Sequence, residues 1–208
     1  MRIKITLSLL AVVMLAGCYK DPAYEDLSSN FTVATNRDLQ SDFGTYKTYF
    51  ISDTVAFRSS TSKDSILPAA EAKKLVDVVK SNMASRGYTF VPKSAKPDLG
   101  INLGALKDID VGVIYPGWWY GYGGWWGGGY WGWYYPYYYP YSVTYVITSG
   151  SVVLDVVDLK NAAANQKLVI IWTAYVGGGL ATTTSVNTEL AINGLNQAYV
   201  QSPYVQSK

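Results

Sequence analysis

Histidine is absent from all 208 residues and cysteine occurs once, at Cys18. Together these scarcities remove much of the catalytic repertoire, since a Ser-His-Asp relay, a Cys-His pair and a His-ligated zinc site cannot be assembled within the chain. A single thiol also leaves no internal disulfide, so stability has to come from packing. Charge is sparse, at 15% of residues: 17 Lys and Arg against 15 Asp and Glu give a formal net charge of +2. Without Arg2 and Lys4 the two signs are equal at 15 each, a balance with no electrostatic footprint for nucleic acid. The length suits one domain with a sizeable core.

Long apolar runs are also missing. The uncharged stretch from Ile5 to Leu15 would span about 16 Å as a helix, short of the roughly 30 Å needed to cross hydrocarbon. Preceded by Arg2 and Lys4 and followed by small residues, it reads as a secretory signal over residues 1–17. Leu15-Ala16-Gly17-Cys18 resembles the bacterial lipobox, which predicts diacylglycerol on the Cys18 thiol and an N-acyl chain, such as palmitate, on its new amino group. At about 0.8 kcal/mol per buried methylene, two or three chains would anchor the protein firmly to membrane lipid. Tyr19, where an inner-membrane retention signal would have Asp, points to the outer membrane, facing either the periplasm or the cell surface. Residues 18–26 form a tether whose Asp21, Glu25 and Asp26 resemble the acidic tethers of surface lipoproteins in Bacteroidota, a Gram-negative group.

From residue 27 the pattern is that of a single α+β domain running to 208. SSNFTVAT and GTYKTYFIS (44–52) read as strands. Residues 66–86 carry Ala72, Leu75, Val76, Val79 and Met83 at helical spacing, with Pro68 near the start and Gly87 past the end. YTFV (88–91) and DLGINLGAL (98–106) are strands, the latter with Leu99, Ile101, Leu103 and Ala105 toward one face. Two further strands, 143–159 and 167–176, flank a short connection at Asn161 to Asn165 that suits a hairpin, and 186–201 reads as a closing helix with Leu190, Ala191, Leu195, Ala198 and Tyr199 inward. The expected fold is a mostly antiparallel sheet with two helices packed on one face, plus a long Trp/Tyr/Gly-rich loop at 115–141.

A lipobox, YKTYFISD after an early strand, a helix ending in RGY, PDLGIN, an aromatic Gly-rich stretch, and GSVVLDVVDL paired with IIWTA together resemble the domain of unknown function 4136 lipoproteins, over most of residues 27–202. The resemblance implies an envelope lipoprotein and nothing catalytic. One departure stands out: where that family has Trp-Arg-Gly, Trp172 is followed here by Thr173 and Ala174.

Several side chains qualify for chemistry, each beside a plainer reading. Asp108 and Asp110 would share a face of a strand and could hold Ca²⁺ or act as acid and base, or meet only water in a turn. Asp155 and Asp158 are three apart on a strand and face opposite ways; Asp155, sharing a face with Val153 and Val157, reads as a hydrogen-bonded structural carboxylate, an exposed one, or with Asp108 and Asp110 a candidate for a hydrolytic site. Gly177-Gly178-Gly179 lacks a phosphate-loop Lys and reads as a turn. Thr54 and Ser65, in Asp-Thr-Val and Asp-Ser-Ile, resemble O-glycosylation acceptors in Bacteroidota, although Ser65 equally suits a helix N-cap.

The 115–141 block holds 6 of the 7 Trp, 10 of the 19 Tyr, 8 Gly and 3 Pro, with no charge and no aliphatic side chain. So many glycines argue against core packing and against a membrane span, because both leave backbone groups unsatisfied. Three uses stay open for Trp118, Trp119, Trp125, Trp126, Trp131, Trp133, Tyr134 and Tyr137: a loop lying among lipid headgroups, a stacking surface for envelope glycan or peptidoglycan, and an insertion packing loosely on its own domain or on another envelope protein. The chain therefore reads as a lipid-anchored outer-envelope protein without catalytic activity, metal or cofactor, serving in envelope organisation or surface interaction. A glycan- or peptidoglycan-binding module is the first alternative, and a carboxylate- or metal-dependent hydrolase the second.

Overall fold

The computed structural model describes residues 31–59, 65–107, 113–114, 129–132, 134–142, 145–146, 150–178 and 188–208. Cys18, Asp108, Asp110, Trp118, Trp119, Trp125, Trp126 and Trp133 lie outside them. At the centre is the expected hairpin, strands β10 (Ser151–Asp158) and β11 (Leu168–Gly177), joined by one helical turn, α2 (Ala162–Asn165). Gln166 closes that turn in the left-handed region, at φ 49°. β6 (Leu99–Lys107) runs antiparallel beside β10, and β1 (Thr32–Arg37) antiparallel beside β11.

The outer strands depart from expectation. β2 (Thr48–Ile51) and β3 (Ala56–Ser59) occupy successive stretches of one edge of β6, both parallel to it. β5 (Thr89–Phe90) is parallel to β2, β8 (Tyr137–Tyr138) is parallel to β11, and β4 (Ser65–Ile66) pairs antiparallel with β3. The nine-stranded sheet is thus mixed rather than mostly antiparallel. Helix α1 (Ala69–Ser85) is the cause: it carries the chain from the β2 end of the domain to β5 and β6, and a helical crossover returns the chain in its original direction. A separate ladder pairs β7 (Val113–Ile114) with β9 (Tyr145–Val146), closing the base of the aromatic segment.

Alternation along the central strands divides the sheet into two faces. Leu99, Ile101, Leu103 and Ala105 of β6, Val152, Leu154 and Val156 of β10, and Trp172, Ala174 and Val176 of β11 form one core with α1 and α3 (Thr188–Gln201). α1 contributes the five residues expected from its spacing. α3 contributes Ala191, Leu195, Ala198 and Tyr199, whereas Leu190 is exposed at the surface, against expectation. Gly194 sets the close approach of α3 to β11, because a Cβ there would stand 2.3 Å from Val176 Cγ1. Ser65 does not cap α1: Ile66 is paired with Ala56, Leu67 N–H bonds Val55 O, and Pro68 opens the helix. Among the described residues no helix is long and apolar enough to cross a membrane.

The helix-side core is unusually rich in phenols. Burial raises the pKa of Tyr46, Tyr49, Tyr88 and Tyr199 above the ordinary 10.0, that of Tyr49 to about 12. In the unfolded chain these groups ionise near their ordinary value while the folded protein keeps them neutral, so their contribution is complete below about pH 10 and is lost as pH rises toward the folded values. The unfolding free energy from urea titration is accordingly expected to be flat through neutral pH and to fall above about pH 10, with a slope exceeding the ~1.4 kcal/mol per pH unit of a single group. An unfolding free energy indifferent to alkali would show that these rings are not buried as described.

A buried polar row beneath a tyrosine cover

The opposite face of the sheet is built differently. The residues between the apolar positions are Gly100, Asn102 and Gly104 on β6, Val153, Asp155 and Val157 on β10, and Thr173 and Tyr175 on β11. Register places Asn102 and Thr173 on either side of Asp155, so three polar side chains from three strands form a row, each essentially shut off from solvent. A buried polar group without partners costs several kcal/mol, so the row has to be satisfied locally.

Asp155 and Thr173 find partners in the aromatic segment. Residues 134–142 pass along this side of the sheet, strand-like only at β8 and bent at Pro140 and Tyr141, and are held at one end by the β8–β11 pairing and by the Leu168 N–H bond to Pro136 O. Period-2 alternation turns Tyr137, Tyr139 and Tyr141 inward and leaves Tyr138 partly exposed and Tyr134 88% exposed. Tyr139 Oη donates to Asp155 Oδ2 at 2.7 Å, Thr173 Oγ1 donates to Asp155 Oδ1 at 2.5 Å, and Tyr141 Oη lies 2.9 Å from Thr173 Oγ1. Burial raises the Tyr137 pKa. Further along the row, Ser151 Oγ and Tyr175 Oη are 2.8 Å apart.

Trp131 seals the end of this layer. A turn closed by Gly132 N–H to Gly129 O, with both glycines at positive φ, turns the indole inward until it is 6% exposed among Val157, Ala162, Leu168 and Ile170. Phe50 and Tyr130 meet it edge-on. Gly100 lies directly beneath, where an added Cβ would stand 2.7 Å from the ring. Core packing, which the glycine content of 115–141 argued against, therefore does occur in the described part. The glycines lie between positions 117 and 132, and the stretch 134–141 that covers the sheet contains none.

Other candidates fall elsewhere. Asp158 accepts bonds from Asn161 N and Nδ2, closing the turn after β10, and is not brought together with Asp155. Gly177 ends β11 and Gly178 turns at φ 70°, consistent with a turn. Thr54 sits between β2 and β3 with its hydroxyl 2.8 Å from Ser52 Oγ, and Ser65 lies in β4. Among the described residues no group of three or more Asp, Glu or Cys could hold a metal. Tyr138 and Pro140 wall a polar cleft of about 490 Å³ shared with Asp38, Asp42, Asn161 and Asn165, with Lys167 Nζ 4.5 Å from the Tyr138 ring centre. Asn102, Thr173, Tyr139 and Tyr141 were not singled out by the sequence. The signal was the Gly-x-Asn-x-Gly alternation in β6, which marks a face unsuited to aliphatic packing.

The arrangement can bind and support, since its central carboxylate is occupied by hydroxyls. In comparison with known proteins, no curated protein matches the chain. A DUF4136 family protein from Bacteroides thetaiotaomicron is similar in structure, with a TM-score of 0.74 and 32% identity over 86% of this chain and 99% of that one. More distant likenesses are a PDZ domain protein from Parabacteroides distasonis (TM-score 0.45, 14% identity, 86% of this chain and 40% of that one) and a PelC dodecamer from Paraburkholderia phytofirmans (TM-score 0.40, 13% identity, 86% and 99%). The model of the domain of unknown function DUF4136 matches residues 33–204. The chain belongs to the DUF4136 family.

Proposed function

We propose that the protein is lipid-anchored in the outer cell envelope through Cys18, has no catalytic activity, and serves in envelope organisation by presenting its aromatic segment as an interaction surface. The observation that carries this reading is the fastening of residues 134–141 to the sheet: the Tyr139 and Tyr141 hydroxyls are bonded to Asp155 and Thr173, while Tyr134 faces outward. An exposed ring on a fastened segment loses less entropy on binding than one on a free loop, which favours a surface of recognition. The polar cleft beside Tyr138 favours glycan as a second reading, because an exposed ring flanked by carboxylates and amides suits a polyhydroxylated ligand. The hydroxyl bonds on Asp155 favour a structural carboxylate over a hydrolytic one.

Two measurements, each comparing the wild type with one variant, test this. Cells fed labelled palmitate are expected to label the wild-type protein and not Cys18→Ser, with the variant leaving the membrane fraction; label retained by the variant overturns the anchor. For the surface, Tyr134→Ala is expected to weaken binding to outer-membrane vesicles or isolated peptidoglycan without changing the urea midpoint, since the ring is almost fully exposed. Unchanged binding to both would remove Tyr134 from the interface.

A further inference from the structure

At the Trp131 end of the tyrosine cover lies a cleft of about 800 Å³, distinct from the one beside Tyr138. That size lies within the range of small-molecule sites. Its walls bring together Lys93, Lys96 and Lys160 with Trp131, Gly132 and Leu159, residues drawn from the β5–β6 connection, the aromatic segment and the β10–β11 connection. Asp98, the acid of this cleft, is directed elsewhere: its Oδ2 accepts the amides of Lys47 and Thr48 at 2.7 and 3.1 Å, anchoring the start of β2. The lysines have no carboxylate partner among the described residues. Lys160 Nζ donates to Thr45 O, and Lys93 Nζ lies 3.8 Å from the centre of the Tyr130 ring and 5.8 Å from that of Trp131. Lys96 follows the turn at 93–95 with its backbone in the left-handed region, at φ 53°, and is exposed. A non-glycine residue in that region is uncommon.

We infer that this cleft binds a saccharide carrying an anionic group, a carboxylate or a phosphate. The ammonium groups of Lys93 and Lys96 meet the anion, while the ring lies against Gly132, Leu159 and the edge of Trp131. Three features support a sugar over a bare anion. The lining includes Pro97, Leu159 and an edge of Trp131, apolar surface that suits the C–H face of a pyranose. Gly132 has nothing within 4 Å of where a Cβ would stand, so a ring can approach the backbone closely. Lys93 Nζ is held over the Tyr130 ring, where burial lowers its pKa, so an anionic partner would favour its charged form. The inference stands on the domain and not on the lipid anchor, so palmitate labelling and saccharide binding fail separately.

The test is calorimetric titration of the full chain in detergent micelles with trigalacturonate, glucose 6-phosphate and neutral maltotriose, repeated at higher salt. At least one anionic probe is expected to bind about tenfold or more tightly than maltotriose and to weaken with salt, and the preferred anion identifies carboxylate or phosphate as the natural group. The double variant Lys93→Gln, Lys96→Gln is expected to lose about tenfold or more of that affinity while keeping the wild-type urea midpoint, since both residues are on the surface. No binding of either anionic probe, equal binding of maltotriose, or binding unchanged in the double variant would overturn the inference.

Discussion

Trp172→Ala is expected to lower the free energy of unfolding by about 3–5 kcal/mol, the usual range for removing a fully buried tryptophan. The indole lies in the central strand β11, completely shielded from solvent, with its ring centre 5.0 Å from that of Tyr199 and its N–H donated to Ser202 Oγ at 3.0 Å. Truncation would remove the ring that joins the sheet to both the end of α3 and the chain beyond it, and little there can collapse into the space because α1 and α3 already pack tightly across this face. Trp172→Phe should be milder, about 1–3 kcal/mol, since most of the volume is kept and Ser202 Oγ retains Tyr204 Oη at 3.1 Å. Urea unfolding of the three proteins measures both values; an alanine variant within about 1 kcal/mol of wild type would mean that the ring is not part of the core.

Asp155→Ala tests the other face. The carboxylate is 1% exposed and accepts hydroxyl bonds from Tyr139 and Thr173. Hydrogen bonds to charged groups contribute about 1.5–3 kcal/mol, and removal of the acceptor leaves two hydroxyls in a closed layer, so a loss of about 2–4 kcal/mol is expected. The effect should also be local. Because Tyr139 would lose the side-chain partner that fastens the segment beyond β8, protease cleavage within 115–141 should accelerate more than global unfolding does. Asp155→Asn, which keeps the shape and one acceptor oxygen, should lie between the two. A double-mutant cycle with Tyr139→Phe isolates the pair and is expected to give a coupling of about 1–3 kcal/mol; strict additivity would mean that the tyrosine segment is not fastened through this carboxylate.

Much of the helix-side core was legible in local pattern. Ala72, Leu75, Val76, Val79 and Met83 recur at the helical period and Leu99, Ile101, Leu103 and Ala105 at the strand period, and in each case the structure buries the whole set. Where the pattern misled, the cause was equally local. Leu190 fits the helical stripe near the start of α3 but remains exposed, and Ser65 has the chemistry of a cap but lies in a two-residue strand too short to show any period. The same brevity concealed β8, and although β5 was expected as a strand within 88–91, nothing in its two residues showed that it would pair parallel to β2.

By itself the sequence determined which consecutive positions repeat as apolar, and so which face of the central strands and of both long helices would be buried together, because a repeat of two or 3.6 residues is a property of neighbours along the chain. Only the tertiary structure decided what lies on the reverse face. Tyr139 and Asp155 are 16 positions apart, and Tyr141 and Thr173 are 32 apart. Whether an aromatic segment packs over a sheet depends on cross-strand register and on a tryptophan finding a glycine beneath it, contacts that no local period encodes.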